Sequence, residues 1–204
     1  MKSRPLLSAI AVLALAACGG GGGSTGEEAA SDATYDLDAA MTAMYLHGVT
    51  AQTSRQVNGS TLTLVQVFAP GSDVTVDGMP RKTVHRTVTM QVDGTPVSST
   101  TQTMEFTAAP LRVRAMRRPD AAPVTPTWTS DLPTATQPGS SGDLMRFPGT
   151  EVRWSLTADG AGAAFACLEY SEPVASDCYR ITPGGAVVGW KFLLQVEGQT
   201  YTLR

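Results

Sequence analysis

The clearest alternation of apolar and polar positions runs over residues 83–92. Val84, Val88, Met90 and Val92 fall on one side and Thr83, His85, Thr87, Thr89 and Gln91 on the other, the period-two signature of a strand with one buried and one wet face. Arg86 interrupts the apolar side, so it must lie at a rim or meet a carboxylate. Residues 61–68 and 74–76 read as shorter strands. Residues 97–106 continue the pattern, but Val97 is out of phase with Met104 and Phe106, which predicts a bulge within residues 98–103. Residues 111–116 alternate again, with Leu111, Val113 and Ala115 opposite Arg112 and Arg114.

Two turns share one pattern: Val76-Asp77-Gly78-Met79-Pro80 and Val92-Asp93-Gly94-Thr95-Pro96, with Val196-Glu197-Gly198 related to them. Asp-Gly supplies the positive φ that tight hairpins demand, and a following proline fits only where no ladder N–H is needed. One strand plus one turn between repeats is meander spacing. Toward the C-terminus, residues 152–156, 165–170 and 179–182 read as strands. A turn at Glu197-Gly198 then pairs Leu194 with Tyr201 and Phe192 with Leu203, apolar sides together and Lys191, Gln195, Thr200, Thr202 and Arg204 outward.

Only one segment has helical spacing. Over residues 37–46, Leu37, Met41, Met44 and Tyr45 share a face, Asp36 stands at the N-cap and Gly48 at the stop. His47 lies at the C-terminal end, where the dipole favours a cation. Residues 119–149 are rich in proline and small polar side chains and read as a long loop, with residues 124–128 as an edge strand. These elements predict an all-β, antiparallel meander curved into a barrel or a two-sheet sandwich, with one short N-terminal helix.

The N-terminus carries a different message. Lys2 and Arg4 precede an apolar run ending in Leu15-Ala16-Ala17-Cys18, and Gly19 to Gly23 follow. This layout resembles the lipobox of bacterial lipoproteins. The apolar run is far short of the roughly 20 residues a bilayer-spanning helix needs. Ordinary cleavage after Ala14-Leu15-Ala16, releasing a soluble protein, is the competing outcome. The resemblance implies cleavage before Cys18, a diacylglyceryl group on its thiol and an acylated new amine. Gly19 in place of Asp after the cysteine implies the outer membrane, on its periplasmic side. The domain organisation expected is a signal over residues 1–17, a lipidated cysteine and Gly-rich tether over 18–34, and a single β domain over 35–204.

Cysteine usage agrees with export. With Cys18 taken by lipid, Cys167 and Cys178 remain as a pair for an oxidising compartment. Opposed across a hairpin, they place Tyr170 opposite Ala175, a spacing that suits a disulfide. They lack the Cys-x-x-Cys spacing of a redox pair, and no histidine lies within metal-ligand spacing.

The formal charge is -3, and loss of Lys2 and Arg4 with the signal takes it to about -5, so net charge does not draw the chain to nucleic acid. Within this acidic body Arg112, Arg114, Arg117 and Arg118 form the one basic cluster. It reads either as a solvated strand face beside Glu105 or as an anion contact for lipid phosphates or an acidic partner.

Residues 36–41 (Asp-Leu-Asp-Ala-Ala-Met), the stretch from Leu132-Pro133 to Gly142-Asp143, and the closing stretch from Cys178-Tyr179-Arg180 to Thr202 resemble lipoproteins of Burkholderiales-type β-proteobacteria. That resemblance supports the outer-membrane expectation and implies no activity.

Catalytic inventory is thin. His47 and His85 are the two near-neutral bases. Gly139-Ser140-Ser141-Gly142-Asp143 lacks the Gly-x-Ser-x-Gly order of a nucleophile elbow. Glu169, Glu172 and Asp177 could pair as glycosidase carboxylates only at a suitable separation. The sequence therefore predicts no catalytic residues, no cofactor and no metal. It predicts a non-catalytic, lipid-anchored envelope protein that binds a protein, a lipid or an anionic glycan. A structural accessory subunit is the alternative, and a periplasmic hydrolase ranks third.

Overall fold

The computed structural model describes residues 33–160, 162–196 and 199–203. The expected signal, Cys18 and nearly all of the expected tether lie outside these residues, as do Glu197, Gly198 and Arg204.

A helix, α1 (Leu37–His47), precedes thirteen strands. The first sheet holds β1 (Val49–Val57), β2 (Ser60–Pro70), β4 (Met79–Val92), β5 (Thr95–Ala108) and β6 (Leu111–Arg117) in that order, with β3 (Val74–Val76) paired to β4. The second runs β13 (Gln199–Leu203), β12 (Val187–Val196), β11 (Ala175–Ile181), β10 (Ala164–Tyr170), β9 (Thr150–Ala158), β8 (Ser141–Phe147) and β7 (Thr127–Trp128). All pairs are antiparallel and, β3 aside, follow chain order, as meander spacing predicts. The sheets stay separate, so the architecture is an open two-sheet sandwich; the barrel alternative is set aside.

Turn chemistry fixes the registers. Asp77-Gly78 and Asp93-Gly94 both adopt positive φ (52° and 76°, 48° and 80°), the backbone of a type I′ hairpin. Asn58-Gly59 does the same between β1 and β2. β1 was not expected from sequence: over its length only Ala51 and Thr53 are buried, too little apolar signal to register as a strand. Val97 is the extra residue opposite Met90 and Gln91, so the bulge precedes the expected span of 98–103 by one position. A second bulge, unforeseen, isolates Arg114 opposite Glu105 and Phe106.

The helix ends one residue beyond its expected limit. Asp36 accepts a hydrogen bond from the Ala39 N–H (2.7 Å), and Gly48 at φ +80° terminates it. A Cβ there would stand 2.9 Å from the Phe68 carbonyl oxygen, so glycine is required for both reasons. Leu37, Ala40, Met41 and Met44 are buried, and the Tyr45 ring packs on Phe68 (5.0 Å) and Phe106 (4.9 Å). The helix thus lies on the inner face of the first sheet.

Residues 119–149 depart most from expectation. The edge strand reduces to Thr127–Trp128, with an isolated bridge from Val124 to Met116, and Ser141–Phe147 is a full strand. Leu132 is buried in the core, and Thr136 pairs with Tyr35. Proline-rich composition concealed a segment that covers one end of the core.

Candidate functional site

Arg86 sits at the centre of β4 and points between the sheets, resolving the interruption in the apolar pattern in favour of a carboxylate. Its Nη2 donates to Asp177 Oδ2 across the sandwich (2.7 Å), and its Nε donates to Gln66 Oε1 (2.7 Å), which also accepts from Nη2. Gln66 Nε2 donates in turn to the Tyr179 hydroxyl (2.7 Å). Gln66 is 0% exposed and Asp177 3%, while the Arg86 side chain between them keeps 20% exposure; in a polar chain this deep an unpaired group is costly, and its hydrogen bonds fix relative position. The guanidinium also lies 5.8 Å from the Phe68 ring centroid.

Burial works against the Arg86 charge and is the largest single influence, but the Asp177 carboxylate and the Tyr179, Tyr170 and Tyr45 side chains together outweigh it and hold the guanidinium pKa above its ordinary value. The Tyr45, Tyr170 and Tyr179 hydroxyls are pushed well above the usual 10, first by burial and then by the Asp177 charge. All three phenols are protonated at any physiological pH.

Beside this network a cleft of about 290 Å³ opens between the sheets. Leu64, Val88, Pro173, Trp190 and Phe192 contribute apolar walls, and Arg86, Asp177 and Tyr170 contribute polar groups. The walls come from three regions that register brings together: Gln66 pairs with Val88 and Leu64 with Met90 in the first sheet, and Asp177 pairs with Phe192 in the second. Trp190 Nε1, in the same wall, is buried and has no hydrogen-bond partner among the described residues. The Tyr170 phenol, also in this wall, feels the Asp177 charge and hydrogen-bonds to the Asp177 side chain.

The arginines singled out from sequence do not converge. Arg112 forms a two-pronged contact with Asp131 (2.6 and 2.9 Å) and lies 6.0 Å from the Trp128 ring. Arg117 donates to Glu105 (2.9 Å), which also takes Arg81 (2.8 Å) on its other oxygen. Arg114 stands in the bulge with a buried, unpartnered Nε, and Arg118 is exposed. Glu105 is 5% exposed. Burial alone would raise its carboxyl, but the hydrogen bonds and charges of Arg117 and Arg81 hold it below the ordinary 4.5.

Cys167 and Cys178 are directly opposed in β10 and β11 and disulfide-bonded, with Tyr170 opposite Ala175. Tyr179 and Asp177 face the first sheet, so by strand alternation the disulfide lies on the side turned away. The three carboxylates do not gather: Asp177 points inward, Glu169 accepts from Ser155 Oγ, and Glu172 is exposed in a turn. Ser141 opens β8 rather than a helix. His85 Nδ1 lies 3.1 Å from Thr103 Oγ1 on an exposed hydroxyl ladder that continues as Thr87 with Thr101 and Thr89 with Ser99. His47 is exposed at the end of α1. Among the described residues, no group of three or more His, Cys, Asp or Glu side chains is placed to hold a metal ion.

Sequence reasoning missed the cleft because Gln66, Asp177 and Trp190 sit in three separate strands. The one local signal was Arg86 on an apolar face. Comparison with family models, curated proteins and solved structures finds no match.

Proposed function

We propose that this protein is a non-catalytic binding module, held by a lipid on Cys18 at the periplasmic side of the outer membrane, that receives an uncharged and largely apolar group of an envelope molecule in the cleft between its sheets. The observation that carries this reading is the cleft itself: apolar walls around an Arg86–Asp177 pair whose charges cancel. Such a surface gives no net attraction to an ion, while apolar contact with its walls stabilises roughly in proportion to the area removed from water. At about 290 Å³ it is at the small end of ligand sites, which suits one side chain or one ring. Its polar groups are a paired arginine, a paired carboxylate and the Tyr170 phenol with its raised pKa, a poor set for proton transfer near neutrality.

A photo-crosslinking residue in place of Val88, in the anchored protein in intact cells, should yield an envelope adduct that the same residue in place of Val74 does not. Equal labelling at both positions, or none at position 88, would refute the cleft as the binding site. Turnover of an envelope substrate by the purified protein would refute the non-catalytic reading.

A structural accessory role has its own support. β6 pairs with β5 only from Thr103 to Ala108, leaving the outer edge of residues 95–102 open and without a charged side chain. An open edge of this kind accepts an added strand. The arginine contact with an anionic glycan or lipid phosphate is a weaker candidate, since such a ligand must compete with Asp131 for Arg112 and with Glu105 for Arg117.

A further inference from the structure

We propose that two copies of this chain pair through the open edge of β5, residues 98–102 of one lying antiparallel to residues 98–102 of the other. Sheet edges invite added strands, and proteins blunt them with charge, short length or a covering segment. Every other edge strand among the described residues carries such a device. β1 bears Arg55, β3 is three residues long, and β13 is five residues long and lies against β1. β6 bears Arg112, Arg114 and Arg117, and both Val124 and the Trp128 indole bond to its backbone. Along β8, beside β7, the Thr129 and Ser130 N–H groups donate to the Leu144 carbonyl oxygen. Residues 97–102 of β5 carry no charge and pair only with β4. Residues 97–101 are exposed, with Val97 at 54%. Pro96 guards only the turn end of this edge.

The direction of the free backbone groups follows from the turn. The type I′ turn at Asp93-Gly94 makes Val92 and Thr95 a hydrogen-bonded pair. Alternation resumed past the bulge at Val97 leaves Thr89 with Ser99, and Thr87 with Thr101, as close pairs without ladder hydrogen bonds. Their hydroxyls meet at 3.2 and 3.1 Å, as side chains of close pairs should. The N–H and C=O groups of Ser99 and Thr101 therefore point away from β4, toward the empty side. A twofold axis at Thr100 sets Ser99 of each copy opposite Thr101 of the other, so that these residues exchange both hydrogen bonds. An isologous contact brings like against like. Ser and Thr pairs across strands are favourable, whereas like charges facing each other repel, so an uncharged stretch is where two chains of net charge -3 can meet. The second copy reaches its own bulge at Val97 opposite Thr103, where β6 takes over the edge with Arg117. A bulge bends its strand and ends pairing, so the incoming strand turns aside there instead of meeting β6. This pairing rests neither on the cleft nor on the lipid anchor.

The test is sedimentation equilibrium of the chain from Gly19 to Arg204 at about 10 μM to about 1 mM, the range in which so short a pairing is read. The average mass should rise from one chain toward two. Thr100 is exposed and faces itself across the axis, so Thr100→Lys and Thr100→Glu should each weaken pairing at least about tenfold. An equal mixture of the two variants should restore it, each lysine meeting a glutamate. Ser54→Lys, at an exposed position on β1, should leave pairing unchanged, and circular dichroism should show the same sheet content in every variant. A chain that stays monomeric throughout, pairing unaffected by Thr100→Lys, equal loss in Ser54→Lys, or no recovery in the mixture would each overturn the proposal. A photo-crosslinking residue in place of Thr100 in intact cells should give an adduct of twice the chain's mass. An adduct with a different protein alone would mean that the edge takes a foreign strand, and would overturn it as well. The adduct at position 88 answers for the cleft separately.

Discussion

Arg86 of the first sheet and Asp177 of the second meet at 2.7 Å across the sandwich, with the carboxylate 3% exposed. An ion pair in such a place is poor evidence for stability in itself, because desolvation of both ions offsets most of their attraction. Its effect is on alignment. Gln66, Arg86, Asp177 and Tyr179 form one hydrogen-bonded chain through three strands, so sliding one sheet over the other would leave several buried polar groups unpaired.

Removing one member should therefore be far worse than removing both. Arg86→Met leaves the Asp177 carboxylate buried and unpaired and should cost about 3–5 kcal/mol in urea denaturation. Arg86→Met combined with Asp177→Leu should cost much less than the sum of the single changes, with a coupling of at least about 1 kcal/mol. Strict additivity would show that the two residues act independently.

The Arg81–Glu105–Arg117 group gives a signed pH dependence. Because the folded pKa of Glu105 lies below the ordinary 4.5, its contribution is fully present above about pH 4.5 and is lost as pH falls through the lower folded value. Glu105→Gln should cost about 2 kcal/mol at pH 7, less than a fully buried pair would, since the Arg117 side chain is 50% exposed. The parent and variant stability curves should converge as pH falls from the ordinary 4.5 through the lower folded value. A gap that stays constant down to pH 3 would mean that shape rather than charge holds this site.

How much of this was legible in the sequence depended on whether the signal was local. Alternation over residues 83–92 and the Asp-Gly turns is contained within a hairpin, and the final pairs, Leu194 with Tyr201 and Phe192 with Leu203, came out in the observed register. Arg86 announced a partner without naming it, because Asp177 lies 91 residues away. β1 was hidden by polar composition even though Asn58-Gly59, among the strongest hairpin signals, stood at its end. β8 was hidden by proline-rich flanks. Of the partners of the basic strand, Glu105 was legible beside it, whereas Asp131, which takes Arg112, comes from a loop 19 residues on and was not.

The Cys167–Cys178 disulfide closes a short loop, with a sequence separation of 11. The chain-entropy model gives about 3 kcal/mol for a loop of this size. Cys167→Ala with Cys178→Ala should lose about that much in denaturant while keeping the far-ultraviolet signature of the sheets, because the bond lies on the face turned away from the core. Non-reducing peptide mapping should recover the two cysteines as one linked pair. Collapse of the sheet signal in the double variant would mean that the bond supports the second sheet itself.

The anchor decides where any ligand would be met. The lipobox reading places a diacylglyceryl group and an N-acyl chain on Cys18, and membrane affinity rises by about 0.8 kcal/mol for each buried methylene. One chain binds marginally, whereas two or more give stable anchoring. The parent should therefore fractionate with outer membranes through high-salt and carbonate washes, and Cys18→Ser should leave the mature domain uncut or soluble in the periplasm. Substituting Arg112, Arg114, Arg117 and Arg118 to Ser separates this from electrostatic adhesion: with the lipid in place, fractionation should not change. If Cys18→Ser stays with outer membranes as firmly as the parent, and the arginine variant does not, adhesion runs through the basic strand and the lipid is not the retention mechanism.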